Sequence, residues 1–147
     1  MDELATRIID LLGSDGPFLC SLATLTPDGL PWVRFVRATI GDDLTLRCPT
    51  FAATKKVEHI RTHPEVHLCC GHTNPATPGS YLQIEGRASI SCRREDRELA
   101  WHERLERWFT GIEDPNYAVV CVKPHRITVL PIGRSGDIAV WSSPPRS

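Results

Sequence analysis

Residues 31–56 of this 147-residue chain read PWVRFVRATIGDDLTLRCPTFAATKK and decide how the rest is interpreted. The runs 30–40 and 44–48 are rich in β-branched and aromatic residues, which favour strands. Gly41-Asp42-Asp43 separates the two runs, and Gly and Asp tolerate the backbone angles of a hairpin turn. The stretch therefore predicts two antiparallel strands, followed by a helix over residues 53–62.

The start of that helix carries groups that suit a bound anion. A helix start offers unpaired backbone N–H groups and the positive end of the helix dipole. Thr50 and Thr54 add hydroxyl donors, Lys55 and Lys56 add ammonium charges, and Arg34 lies on the strand before. These residues predict a phosphate site. A solvated arginine and a lysine-rich helix start capped by Thr54 would explain the same pattern without a ligand.

Length and composition fit one globular domain over residues 1–147. The net charge of −1 produces no overall field that would attract nucleic acid or a membrane surface. No apolar run is long enough to span a bilayer. The acidic start Met1-Asp2-Glu3-Leu4 does not resemble a signal peptide, so we expect a cytoplasmic protein.

The remaining patterns predict a mainly β (α+β) protein with six or seven strands and three helices. Strand patterns cover residues 18–25, 30–40, 44–48, 66–70, 81–92, 117–122 with 126–130 after a bend at Lys123-Pro124, and 138–141, and helical patterns cover 3–12, 53–62 and 95–109. The strands follow one another as hairpins rather than alternating with helices. That order favours an antiparallel barrel or sandwich over a doubly wound sheet.

One sequence of motifs resembles a known family. Arg34 on a strand, Thr50-x-x-x-Thr54-x-Lys56, an apolar helix and His63-Pro64-Glu65-Val66 resemble the FMN-binding split barrels, over residues 15–130. These are the pyridoxamine-phosphate-oxidase-like proteins, which include the bacterial general-stress flavoproteins. The resemblance implies a six- or seven-stranded antiparallel split β-barrel with flanking helices. It also implies a homodimer with FMN at the subunit interface and an FMN-dependent oxidoreductase activity on an unidentified substrate.

The resemblance also implies which residues contact the cofactor. In relatives, the arginine strand and the Thr-to-Lys segment hold the FMN phosphate, and the backbone of the arginine strand runs along the flavin ring. Carried over by position, the contacts are Arg34, Phe35, Val36, Pro49, Thr50, Thr54, Lys55 and Lys56. Pro49 stands where relatives often have an aromatic residue. The resemblance assigns no catalytic residue.

A second candidate segment is Gln83-Ile84-Glu85-Gly86-Arg87. Gly86 within a strand predicts a bulge or a close approach of another backbone. In the family, a polar residue upstream of this glycine can face the flavin, which makes Gln83 the candidate. An exposed glutamine on the barrel surface is the alternative.

Tryptophans could contribute as well. Residues 108–116, WFTGIEDPN, resemble a Trp-Phe…Gly…Asp-Pro-Asn segment of the family. Trp101 and Trp108 lie seven residues apart and would share one face of the predicted helix, for packing or for contact with the flavin of a second subunit. True pyridoxamine phosphate oxidases carry an Arg-x-His pair near the C-terminus that residues 138–145, IAVWSSPP, lack, so we do not expect vitamin B6 oxidation. General-stress relatives often place a tryptophan where this chain has Leu130, and Trp141 is a possible substitute.

Other readings remain open. His63, His67, Cys69, Cys70 and His72 crowd together but lack the knuckle spacing of a zinc site, so we expect no metal and six reduced structural thiols. The chain contains neither a G-x-S-x-G elbow nor a G-x-G-x-x-G loop. The alternatives are a non-catalytic flavin-binding or stress protein, and the same barrel binding deazaflavin or haem.

Overall fold

Antiparallel pairing of consecutive strands organises the chain. The computed structural model describes residues 2–13, 16–71, 79–131 and 138–144. Within these residues the elements are α1 (Glu3–Leu12), β1 (Phe18–Leu25), β2 (Pro31–Ile40), β3 (Leu46–Phe51), α2 (Lys55–Thr62), β4 (Glu65–Gly71), β5 (Ser80–Ser91), α3 (Arg94–Ala100), a 3-10 helix (Glu103–Arg107), β6 (Tyr117–Pro131) and β7 (Ala139–Ser142). No helix in the described part is long and apolar enough to cross a membrane.

The sheet closes on itself. Its strand order is β3-β2-β1-β4-β5-β6-β7, and an additional pairing between β3 and β6 closes six strands into a barrel. All pairings are antiparallel, and β7 extends the sheet beyond β6. The predicted mainly β, antiparallel barrel is thus confirmed. Leucines from several strands, among them Leu22, Leu46, Leu68 and Leu82, are fully buried in the core.

The barrel is incomplete at one junction. Strands β2 and β3 pair at only two positions, Thr39 with Arg47 and Ile40 with Leu46. Beyond Arg47, β3 continues along β6 instead, up to the pair Phe51–Tyr117. In the described residues, β2 therefore has no partner strand on this side from Pro31 to Ala38. The opening between these two strands is called the split below.

Strand β3 differs from its predicted bounds of 44–48. Leu44 has a φ of 66°, which belongs to a turn, and the Asp43 carboxylate accepts hydrogen bonds from the Thr45 amide and hydroxyl at 3.0 Å each. The turn therefore extends through Thr45, and the strand begins at Leu46. Pro49 and Thr50 belong to the strand rather than to the loop before α2. Proline lacks the N–H that a ladder on both sides would need, and Pro49 lies where β3 has one neighbour only.

The predicted helix over 95–109 is also wrong, because it is broken at Trp101 and His102. Both residues have extended backbone angles, and a 3-10 helix follows. Ala100, Leu105 and Phe109 are buried in one cluster with Tyr117 on β6. Residues five apart lie about 140° apart around a continuous helix, so Ala100 and Leu105 could not both face that cluster without a break.

Gly86 makes the close approach that its place in a strand predicts. It pairs with Pro124, whereas Glu85 pairs with Arg126, so His125 is an extra residue on β6. This bulge falls at the predicted bend, although β6 continues through it as one strand. A Cβ atom at Gly86 would lie 2.7 Å from Val122 Cγ1 and 2.9 Å from the Lys123 carbonyl oxygen.

We therefore expect Gly86→Ala to lower the free energy of unfolding by about 1–3 kcal/mol, because the added methyl group overpacks the β5–β6 contact. Gly111→Ala is the matched control, since a Cβ atom there meets nothing within 4 Å. Urea denaturation of both variants tests this expectation. An equal effect of the two substitutions would show that close packing at Gly86 is not needed for stability.

Candidate cofactor-binding site

Four of the sequence-predicted residues meet in the split. Arg34 comes from β2, Thr50 from β3, Thr54 from the position before α2, and Lys56 from the first turn of α2. The Lys56 ammonium donates a hydrogen bond to Thr50 Oγ1 at 2.7 Å, and Thr50 Oγ1 lies 3.5 Å from Thr54 Oγ1. These four residues are called the Arg–Lys cluster below.

The charges in this cluster are not balanced. Burial lowers the pKa of Lys56, and the positive charge of Arg34 lowers it further. Burial also lowers the pKa of Arg34. Among the described residues, neither side chain forms a salt bridge with a carboxylate. Two partly buried cations near each other without a counter-ion are unfavourable, and a bound anion would relieve both costs.

Thr54 and Lys55 take different places at the start of α2. Thr54 is the N-cap residue by position, but its side chain makes no capping hydrogen bond, so its hydroxyl is not used to cap the helix. The Lys55 side chain is 72% exposed, and its ammonium lies 3.9 Å from Glu58 in solvent. Its side chain is therefore directed away from the cluster.

The side chains of the other predicted residues of β2 and β3 lie on different faces, because successive side chains of a strand alternate between its two sides. The side chain of Phe35 is on the outer face of the barrel and 77% exposed, opposite to Arg34. Val36 packs against the barrel core. Pro49 lines a groove next to the Arg–Lys cluster. Only the backbone of Phe35 and Val36 borders the split, which is the part of this strand that the resemblance places beside a flavin.

The groove has a volume of about 620 Å³, within the usual range for small-molecule sites. Its lining combines basic and aromatic side chains from β2, β3, α2 and the segment around the 3-10 helix: Arg37, Pro49, Thr50, Phe51, Lys56, His102, Arg104, Leu105, Arg107, Trp108 and Phe109. Burial lowers the pKa of His102, and the charges of Arg104 and Arg37 lower it further. The groove therefore combines a positive potential with apolar ring surfaces.

Trp108 is the tryptophan that borders this groove, from within the same chain and 57% exposed. Trp101 instead packs edge-on against Tyr117, with ring centroids 5.5 Å apart. Trp101 and Trp108 therefore do not share the helix face that the sequence predicted. Trp141 packs against the barrel core. Sequence analysis missed Phe51, which lies 4.8 Å from Phe109 between ring centroids. The signal was its position next to Thr50, where strand alternation turns it outward.

Gln83 lies far from the split within one chain. It is exposed on the outer face of β5, in a cross-strand row with Cys69, Ser21 and Phe35. Gln83 is three strands away from Phe35, or about 14 Å at the usual strand spacing. A contact between Gln83 and a ligand in the split would have to come from another subunit.

Two residues that the sequence analysis did not single out hold Arg34 from behind. Arg34 Nη1 donates to Thr24 Oγ1 at 2.7 Å and to the Leu22 carbonyl oxygen at 3.2 Å. Thr24 Oγ1 lies 2.9 Å from Nδ1 of the buried His59. Two signals pointed to them: Thr24 continues the inward alternation of β1, and His59 lies between apolar residues of α2.

The histidine and cysteine side chains of β4 that were considered for a metal site lie on two different faces of the strand. His67 and Cys69 are on the outer face of β4, and Cys70 is buried inside. His72 lies outside the described residues. In the part of the chain that the structure describes, all six cysteines are free, and no three metal-binding side chains converge.

Comparisons with known proteins agree with this architecture. The sequence profile described as pyridoxamine 5'-phosphate oxidase matches residues 14–130. The chain is 30% identical to general stress protein 26 of Bacillus subtilis (strain 168), over 94% of this chain and 96% of that protein. The crystal structure of general stress protein 26 from Bacillus anthracis is 26% identical, covers 88% of this chain and 95% of its own, and has a TM-score of 0.75.

A second similar structure shares the fold only. It is a haem-binding protein from Mycobacterium smegmatis, 15% identical, with a TM-score of 0.74, covering 97% of this chain and 59% of that protein. The profile match spans most of the chain and includes every strand from β1 to β5 and almost all of β6. With this match and the similarity to general stress protein 26, the chain belongs to the pyridoxamine 5'-phosphate oxidase-like family.

Proposed function

We propose that this chain binds FMN in the split between β2 and β3 and acts as an FMN-dependent oxidoreductase. The observation that carries the proposal is the pair Arg34 and Lys56, two partly buried cations that have no carboxylate partner among the described residues. Membership of the family supports the choice of a flavin.

The Arg–Lys cluster matches the chemistry of a phosphate group. Arginine and lysine together supply two positive charges, and a phosphate monoester carries close to two negative charges at neutral pH. The Thr54 hydroxyl can donate to a phosphate oxygen. The Thr50 hydroxyl accepts from Lys56 and donates to the Phe51 carbonyl oxygen at 3.3 Å, a bond it would exchange for one to the phosphate. Because the cluster is partly buried, these charge-assisted hydrogen bonds are stronger than they would be at a fully exposed surface.

The groove beside the cluster suits the rest of the cofactor. Pro49, Phe51 and Trp108 supply apolar surface, and the free edge of β2 supplies backbone N–H and C=O groups that need partners. When bound, the flavin supplies the electron and hydride transfer, while the protein binds it, orients it and excludes water. We assign no side chain as a general acid or base.

The outer face of β1 and β2 is proposed to bind a second copy of the chain. Leu19, Val33 and Phe35 are exposed there, by 54%, 69% and 77%. They surround the small outward residues Ser21 and Ala23. Adjoining exposed apolar side chains of this size usually mark a protein interface. A dimer formed through this face would bring Gln83, which lies in the same outward cross-strand row as Phe35, close to the interface where the family resemblance implies the flavin.

Haem is the second candidate ligand, because His102 lines the groove and is kept neutral by its surroundings, as an iron ligand must be. Release of the cofactor from purified protein by denaturation, followed by mass measurement, separates FMN from haem and from a deazaflavin. Reduction of the bound flavin by NAD(P)H, with turnover on an acceptor, would separate an enzyme from a non-catalytic flavin carrier.

We expect Arg34→Ala and Lys56→Ala each to weaken FMN binding about ten- to hundredfold, since each removes a charged donor to the phosphate. Riboflavin lacks the phosphate, so its affinity should hardly change. Lys55→Ala is the matched control, because it removes an exposed ammonium one residue away. Flavin fluorescence titrations of both ligands measure the effect. Equal losses for FMN and riboflavin would contradict the phosphate assignment.

We expect the protein to be a dimer in light scattering at micromolar concentration, and Phe35→Asp to shift it toward the monomer. The reason is that an aspartate would bury a carboxylate in the apolar interface. Leu99→Asp is the control, since Leu99 is also an exposed apolar residue but lies on α3. A monomeric wild-type protein, or equal effects of both variants, would contradict the proposed interface.

A further inference from the structure

We propose that Thr24 and His59 are positioning residues that hold the Arg34 guanidinium ready for a phosphate group. The inference rests on the proposed function, because Arg34 is assumed to contact the phosphate. It adds two residues from β1 and α2, neither of which reaches the groove itself. The three side chains form a hydrogen-bonded relay from Arg34 through Thr24 to His59.

The donors and acceptors of this relay can be assigned. Arg34 can only donate, and its Nη2 lies 3.5 Å from His59 Nδ1 while its Nη1 donates to Thr24 Oγ1. Nδ1 must therefore be an acceptor, so the His59 ring is neutral and carries its proton on Nε2. Thr24 accepts from Arg34 and donates its own hydroxyl proton to Nδ1 at 2.9 Å.

The surroundings of His59 agree with a neutral ring. The side chain is 3% exposed. Burial lowers the pKa of His59, and the charges of Arg34 on β2 and Lys55 on α2 lower it further, against the opposing effect of Glu58. Protonation would place an Nδ1–H group against the arginine and threonine donors. The relay therefore requires the uncharged imidazole.

Trp32 completes the support of the arginine. Its ring lies 5.1 Å from the His59 ring between centroids, tilted by 50°. The Arg34 Cζ atom lies 5.9 Å from the centroid of the Trp32 ring. The guanidinium is thus packed against an aromatic ring as well as hydrogen-bonded, and its rotamer is restricted before any ligand arrives.

The relay leaves the correct number of donors for a phosphate. A guanidinium has five N–H groups. Three of them are directed at Leu22, Thr24 and His59, so the Nε–H and one Nη2–H remain free of protein partners in the described residues. These two lie on one edge of the guanidinium and can bind two oxygens of one phosphate. A side chain fixed in this way loses little conformational entropy on binding, which raises affinity.

The test compares variants that remove or keep each hydrogen bond. Thr24→Val removes the hydroxyl and Thr24→Ser keeps it. His59→Phe keeps the ring against Trp32 but removes the acceptor, whereas the amide oxygen of His59→Asn can replace Nδ1. His63→Phe is the control at the C-terminal end of the same helix, where the imidazole lies 3.3 Å from the Pro27 carbonyl oxygen. FMN and riboflavin are titrated into each folded variant, with Arg34→Ala as reference.

We expect Thr24→Val and His59→Phe to weaken FMN binding about five- to tenfold, with riboflavin changed less than about twofold and the serine and asparagine variants close to wild type. In an Arg34→Ala background, His59→Phe should have no further effect on FMN. If His59→Phe does not fold, the Thr24→Val and Thr24→Ser pair decides.

Two outcomes would overturn the inference. One is an FMN-specific loss of affinity in Arg34→Ala without any such loss in Thr24→Val and His59→Phe. That result would support the phosphate site but show that Thr24 and His59 are not needed to position Arg34. The other is an equal loss of FMN and riboflavin in the relay variants, which would make their role structural. If Arg34→Ala itself does not distinguish FMN from riboflavin, the proposed phosphate site and the relay both fail.

Discussion

The early separation of β2 from β3 is the feature on which the rest of the structure depends. Strand β3 pairs with β6 along its whole length but with β2 only at Thr39 and Ile40, so one edge of β2 has no strand partner within the described residues. Unpaired backbone groups at such an edge must bind water, a ligand or another chain. The fold thus provides a linear binding edge that a fully closed barrel would not offer.

The residues at this edge give it a chemical preference. Arg34 approaches from β2 and Lys56 from α2, and both are too buried to be well solvated and too close to be independent. Such an arrangement costs stability in the free protein. The hydrogen bonds from Arg34 to Thr24 and Leu22 keep it in place despite this repulsion. Under the proposed function, these hydrogen bonds hold Arg34 in place for the phosphate before the cofactor binds.

Much of the fold could be predicted from local patterns, because alternation and turn residues report directly on strands and hairpins. The strand at 18–25 and the helix at 3–12 agree with the structure. The split could not be predicted in this way, because beyond Arg47 strand β3 pairs only with β6, a strand far along the chain. The break in the helix at Trp101 could not be predicted either, because it follows from burying both Ala100 and Leu105 against β6, which is also a contact with a distant strand.

The candidate site, too, could be predicted only in part. The spacing of Thr50, Thr54 and Lys56 indicated an anion site, and the structure brings these three side chains together. Arg34 is near enough for its charge to lower the pKa of Lys56. Strand alternation directs Phe35 away from that cluster, and the exposed position of Lys55 does the same for its ammonium. The position of His59 between apolar residues of α2 indicated a buried side chain, but its contacts with Thr24 and Arg34 join α2 to two strands and could not be read from that local pattern.

A crystal structure of the protein with FMN tests the central claim most directly. The account predicts the flavin in the split, with phosphate oxygens about 2.7–3.2 Å from the Arg34 guanidinium and the Lys56 ammonium. Flavin bound elsewhere, or bound in the split with its phosphate directed away from these two side chains, would contradict it.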